Sequence, residues 1–151
     1  VSPTPVYTRE EARALGILPP KPAAAKPREQ SEREMTIALA EWLRLMRTTG
    51  RLLARWTHVA NERRDRVEAI LAHRMGVEAG CPDLVFFLRD GRGAAIEMKI
   101  PGGKLSREQK EWMRDLLALG WLWARCESIE EVEAHLVKWG ALLPKRENKS
   151  A

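Results

Sequence analysis

Residues 82–100 read Pro-Asp-Leu-Val-Phe-Phe-Leu-Arg-Asp-Gly-Arg-Gly-Ala-Ala-Ile-Glu-Met-Lys-Ile, and this stretch decides the fold. Residues 84–88 are an unbroken apolar run, the pattern of a strand buried on both faces. Asp90-Gly91 is a hairpin-turn dipeptide, and residues 94–100 read as the return strand. On that strand Glu97 and Lys99 lie two apart and point to one face, while Ile96 and Met98 point to the other. Pairing through the hairpin brings Asp83 and Glu97 to the same end. Two converging carboxylates repel unless a cation sits between them. Hard oxygen donors of this kind favour Mg²⁺ or Mn²⁺ over zinc. Lys99 adds a positive charge that can hold a phosphate or a nucleophilic water. Singly, Glu-x-Lys on a strand is an ordinary surface ion pair and Pro-Asp an ordinary turn. Their placement on both sides of one hairpin points to a site.

Upstream of the hairpin, Ser31 and Glu34 form a capping box that opens a helix with the apolar stripe Met35, Leu39, Trp42, Leu43 and Met46, closed near Gly50. Residues 55–60, with Trp56 and Val59, read as a short strand. A second helix starts at Asp65, carries Val67, Ile70, Leu71 and Met75 on one face, and ends at Gly76. Downstream, Ser106 caps a third helix with the stripe Trp112, Met113, Leu116 and Leu117, ending at Gly120. Residues 121–126 read as a strand. Ser128 and Glu131 open a last helix carrying Ile129, Val132, Leu136 and Trp139, and Gly140 and Pro144 end the fold. This mixed order predicts an α/β protein with a central sheet flanked by helices. Residues 1–30 read as a Pro/Ala-rich tail. Residues 8–18 suit one short helix there, and the prolines that follow suit an extended linker. The domain is expected over residues 31–144, with a basic tail over 145–151.

The chain of 151 residues is long enough for one hydrophobic core, and 44% hydrophobic with 31% charged residues suits a globular domain. No apolar run approaches the roughly 20 residues that span a bilayer, so no membrane partner is expected. The N-terminus lacks the apolar core of a signal peptide, which favours a cytoplasmic protein. Cys81 and Cys126 match no zinc or redox spacing and read as small buried thiols. His58, His73 and His135 have no ligand spacing and read as surface or packed residues. The net charge of +5 favours polyanions. Arg51, Arg55, Arg63, Arg64, Arg66 and Arg74 cluster around the first strand, and Lys104, Arg107 and Lys110 follow the hairpin. Arg55, Arg63, Arg64, Lys104 and Arg107 are the candidate contacts to nucleic-acid phosphates. Lys104 follows Pro101-Gly102-Gly103, a loop flexible enough to approach a backbone. Half of such charges serve solubility alone, and the tryptophans read as core rather than as platforms for bases.

The segment Gly76-Val-Glu-Ala-Gly80-Cys-Pro82-Asp83-Leu84 resembles the G-x-x-x-G-x-P-D of VRR-NUC domains, a branch of the PD-(D/E)xK nuclease superfamily. The resemblance continues through Ile96-Glu97-Met98-Lys99, Leu105-Ser106-x-x-Gln109 and Leu116 to Gly120, and covers about two-thirds of the chain. Its stand-alone length is most similar to phage and bacterial single-domain members, which places it in a bacterial cell or a phage-infected host. The resemblance implies a restriction-endonuclease-like core and metal-dependent hydrolysis of DNA phosphodiesters by an endonuclease. Asp83, Glu97 and the backbone carbonyl of Met98 would hold Mg²⁺ or Mn²⁺, and Lys99 would orient or activate the attacking water. An upstream helix acid is common in the family. Of Glu32, Glu34 and Glu41, Glu32 sits best relative to Trp42 in the family pattern, and Glu34 has a rival role in the capping box. Gln109 has two readings, an active-site residue or the partner of Ser106 in a capping box. Asn61 and Glu62 follow the first strand, where related sequences carry Asn, and a turn is their simpler account. Branched or four-way-junction DNA is the candidate substrate, and symmetric cutting of two strands favours a homodimer. Two alternatives stay open: a DNA-binding module on this fold that has lost catalysis, and a basic interaction protein.

Overall fold

The structure, a computed structural model, describes residue 15, residues 31–59 and residues 66–146. The expected helix over 8–18, the linker, Asn61, Glu62, Arg63, Arg64, Asp65 and the end of the basic tail lie outside the described residues. The elements run α1 (Glu32–Thr48), β1 (Arg55–His58), α2 (Arg66–Arg74), β2 (Leu84–Phe87), β3 (Gly93–Met98), α3 (Arg107–Ala118), β4 (Leu122–Cys126) and α4 (Ile129–Lys138). The four strands form one mixed sheet in sequence order. β1 and β2 pair antiparallel, as do β2 and β3, while β3 and β4 are parallel across the α3 crossover. This is the α/β fold with flanking helices that the element order predicts.

Helix α1 starts where the sequence says it should. The Ser31 hydroxyl accepts from the Glu34 N–H, and the Glu34 carboxylate accepts from the Ser31 N–H. Its buried stripe of Met35, Leu39, Leu43 and Met46 packs on the sheet face formed by Leu84, Phe86, Ala94, Ile96, Met98, Ala124 and Cys126. Val132 and Leu136 of α4 complete this core. Arg51 ties the end of α1 to the C-terminal segment through Glu133 and the Leu143 carbonyl.

The second sheet face is covered less fully. The run over 84–88 reads as buried on both sides, yet Val85 is half-buried and Phe87 is exposed. The reason is the position of α3, which packs on β4 and leaves the β1–β2 side of that face open. β3 is the strand buried along its whole length, and this buries Glu97 with it. Helix α2 buries none of its residues, so Val67, Ile70, Leu71 and Met75 form an exposed apolar stripe. No helix among the described residues is long and apolar enough to cross a membrane.

Candidate active site

The β2–β3 register sets the site. Leu84 pairs with Ile96, so one step outward Asp83 faces Glu97. Pro82 cannot donate to the ladder, and there the Asp83 side chain takes over: its Oδ2 accepts the Met98 N–H at 2.9 Å. The Asp83 carbonyl accepts the Val59 N–H at 2.8 Å, which fastens the same residue to the end of β1. Asp83 is therefore held from both neighbouring strands.

Glu97 is 2% exposed and Lys99 8%. Lys99 follows the last residue of β3, but its N–H still pairs with the Cys126 carbonyl, so its side chain keeps the direction of Glu97. The Lys99 Nζ lies 3.0 Å from Glu97 Oε1 and 3.6 Å from Glu32 Oε1. Glu32, in the first turn of α1, thus reaches the site, whereas Glu34 is spent on the cap. The two readings of Gln109 turn out to be one arrangement. Its Oε1 accepts the Ser106 N–H at 2.9 Å, while its Nε2 donates to Glu97 Oε1 at 2.5 Å. The cap fixes the amide rotation, and the fixed amide fixes the carboxylate.

Gly80 makes this placement possible. Its φ is +83°, and a Cβ there would lie 2.5 Å from the Glu108 carbonyl carbon and 2.7 Å from the Gln109 nitrogen. The Trp112 indole donates to the Ala79 carbonyl at 3.0 Å, holding the 79–80 turn against the start of α3. The second glycine of G-x-x-x-G is thus a point of backbone contact that sets Gln109 on Glu97.

Burial, then the Asp83 charge, pushes the Glu97 carboxyl up to about 7, against the pull of Lys99. Burial also raises Asp83, opposed by the Met98 N–H and Lys99. Burial acts to lower Lys99, but the hydrogen bond and charge of Glu97 outweigh it and raise its pKa, so the ammonium stays charged at neutral pH. Three carboxylates against one ammonium leave a negative excess that a cation would relieve. Among the described residues no three Asp, Glu, His or Cys side chains are grouped to hold a metal ion by themselves.

These groups stand at one end of a cleft of about 770 Å³. Its remaining lining was not anticipated: Arg33, Thr36, Ile37, Ala40 and Arg44 of α1, and Trp56, Thr57 and His58 of β1. Trp56, expected in the core, packs against it with one part and lines the cleft with another. His58, expected to be surface or packed, is exposed and lines the cleft. The signal for both was their two-residue spacing on a strand, which carried no mark that this strand is a sheet edge. Of the expected phosphate contacts, Arg55 pairs with Phe87 on the face of β1 opposite Trp56, and exposed Lys104 is not among the cleft residues. Arg107 is exposed and bonded to Glu111. The 101–103 loop is tied rather than loose, because Arg125 donates to the Gly103 carbonyl and Glu127 accepts the Gly102 N–H.

The fold and cleft define an α/β domain with an acidic centre and a lysine. The family profile of the VRR-NUC domain matches residues 30–130, and the chain belongs to that family of nuclease domains. A solved structure described as a VRR_NUC domain protein superposes with a TM-score of 0.56 at 22% identity, covering 74% of this chain and 89% of that one. No curated protein matches the chain.

Two outcomes follow from this geometry. Gly76→Ala carries a left-handed backbone penalty of roughly 1–2 kcal/mol, since nothing lies within 4 Å of its Cβ position. Gly80→Ala adds about 1–3 kcal/mol of overpacking and displaces Gln109; denaturation midpoints of the two variants check the difference. The second outcome concerns pH. Between the usual 4.5 and about 7 the folded chain binds more protons at Glu97 than the unfolded chain. Stability without divalent cations therefore falls as pH rises through that window, by on the order of a few kcal/mol, and Glu97→Gln flattens the slope. Chemical denaturation at pH 5 and pH 8 measures it.

Proposed function

We infer that the chain is a metal-dependent endodeoxyribonuclease of the PD-(D/E)xK type, acting on branched or four-way-junction DNA. The observation that carries this reading is buried Glu97 facing half-buried Asp83, with the Lys99 ammonium 3.0 Å from Glu97. Buried like charges are costly, and an arrangement that holds them together suits a site completed by a cation. Asp83, Glu97 and the Met98 carbonyl would hold Mg²⁺ or Mn²⁺; the all-oxygen donor set fits these hard ions. When bound, such an ion polarises the scissile phosphate and lowers the pKa of water.

The chain's own groups do the rest. Lys99 remains an ammonium, so it serves as donor and charge stabiliser rather than as a base. It orients the attacking water and carries part of the charge that builds on the phosphate. Glu32 and Glu97 hold that ammonium between them. Gln109 locks the Glu97 carboxylate in one rotation, so its second oxygen is directed without a conformational search. The products are a 3′ and a 5′ end from one hydrolysed phosphodiester.

The proposed homodimer draws support from α2. Four apolar side chains at helical spacing, all more than half exposed, form a stripe of the kind that marks an interaction surface. Leu71→Glu would shift a dimer to a monomer in sedimentation velocity, with the helix itself tolerating the change.

The activity test is nicking of supercoiled plasmid with Mg²⁺ or Mn²⁺. Asp83→Ala and Lys99→Ala are each expected to lose on the order of 100-fold or more in rate. Equal nicking by wild type and variants would remove these residues from the chemistry. Tight DNA binding with no cutting in either metal would leave a binding module on a nuclease fold.

A further inference from the structure

The cleft extends well past the acidic centre, and its far part has a different chemistry. Trp56 and His58 alternate onto the sheet face that α1 covers, because they pair with Phe86 and Leu84. Phe86 and Leu84 are fully buried there. β1 is the edge strand, one position further out, so Trp56 is covered only in part and its remaining surface faces the cleft. Opposite it, α1 carries a second stripe, distinct from its buried one: Arg33, Ile37, Ala40 and Arg44, at i, i+4, i+7 and i+11. The stripe is about 17 Å long at roughly 1.5 Å per residue.

Its composition is informative. Phosphate binding alone asks for cations. Here Ile37, 52% exposed, and Ala40 stand between two arginines and beside an indole. The Arg44 guanidinium sits over the Trp56 ring, 5.9 Å from its centroid. Arg51, Arg92, Arg107 and Arg125 are each bonded to a carboxylate, but among the described residues no carboxylate pairs with Arg33 or Arg44. An aromatic ring with the Arg44 guanidinium over it fits a flat base, and Arg33, toward the acidic centre, adds a second cation along the same wall. The cleft, about 770 Å³ with the acidic centre included, has the size of a small-ligand site.

We propose that the Arg44–Trp56 end of the cleft is a subsite for one unpaired deoxynucleotide, its base on the aromatic–guanidinium pair and its phosphate toward Arg44, with Arg33 further along the wall toward the acidic centre. Cutting then occurs next to single-stranded DNA, as at a flap or an opened branch, rather than inside continuous duplex. This rests on the reading of the acidic end as a phosphodiester-cleaving centre, and it adds how the strand is gripped beside that centre. Base stacking of this kind is sequence-tolerant and changes affinity by roughly tenfold to a hundredfold per base.

The test is equilibrium binding by fluorescence anisotropy, with Ca²⁺ in place of the catalytic metal, on the full chain. The probes are a duplex with a single-stranded flap, the same duplex without it, and flaps with one base at a time replaced by an abasic sugar. Wild type should bind the flap at least tenfold more tightly than the blunt duplex. Trp56→Ala should abolish that preference and leave duplex binding unchanged, while Trp56→Phe keeps most of it. Arg44→Ala, a change at an exposed helix position, should weaken flap binding in the same direction. One abasic position should reproduce the Trp56→Ala loss and add nothing to that variant. Equal affinity of wild type for flap and blunt duplex overturns the proposal, as does a uniform loss across probes in Trp56→Ala and Arg44→Ala. Cleavage of the flapped duplex is scored separately: no cutting of it in Mg²⁺ or Mn²⁺ overturns the nuclease reading and leaves the binding comparison intact.

Discussion

Two carboxylates, half-buried Asp83 and buried Glu97, face each other at one end of the sheet, and the surrounding structure is arranged to keep them there. The apposition is unfavourable in itself, because the Asp83 charge adds to burial in raising the cost of ionising Glu97. It persists because the hairpin register leaves no alternative. A slip of β3 by one residue would turn Ile96 and Met98 off the face that α1 packs and put Glu97 there instead. The core that α1 and α4 build on one sheet face therefore enforces the electrostatic strain at its end.

The remaining parts of the site act as restraints on that pair. Asp83 is held by β1 through its carbonyl and by β3 through its carboxylate. Glu97 is held by Lys99 from its own strand and by Gln109 from α3. The turn at Gly80 presses the 79–80 backbone against the start of α3 and sets Gln109 in reach. Groups already in place need no reorganisation when charge develops beside them, and this is what such fixed geometry provides. The family that the sequence profile identifies is thus embodied here in a small set of backbone contacts rather than in the acids alone.

The centre was legible in the sequence because its signals are local. Asp90-Gly91 names the hairpin, two-residue alternation gives the face of Glu97 and Lys99, and Ser31 with Glu34 withdraws one rival acid in favour of Glu32. Gln109 was legible in both its roles, though the sequence could not say that one amide performs them together. The cleft wall was not legible. Its residues come from a second helix stripe of mixed character and from an edge strand, and a single sequence does not reveal which strand stands at the edge. For the same reason the apolar run over 84–88 reads as buried on both faces when α3 covers only the β3–β4 side. Charge counting pointed to Arg55, Arg63, Arg64, Lys104 and Arg107; among the described residues, the arginines that line the cleft are Arg33 and Arg44.

The most direct test of the central claim is the anomalous scattering of Mn²⁺ in crystals of the chain. The account predicts one ion between the Asp83 and Glu97 carboxylates at roughly 2.0–2.2 Å from their oxygens, with the Met98 carbonyl as a further ligand. An ion bound elsewhere, or none at saturating Mn²⁺ with Lys99 still closed on Glu97, would contradict it.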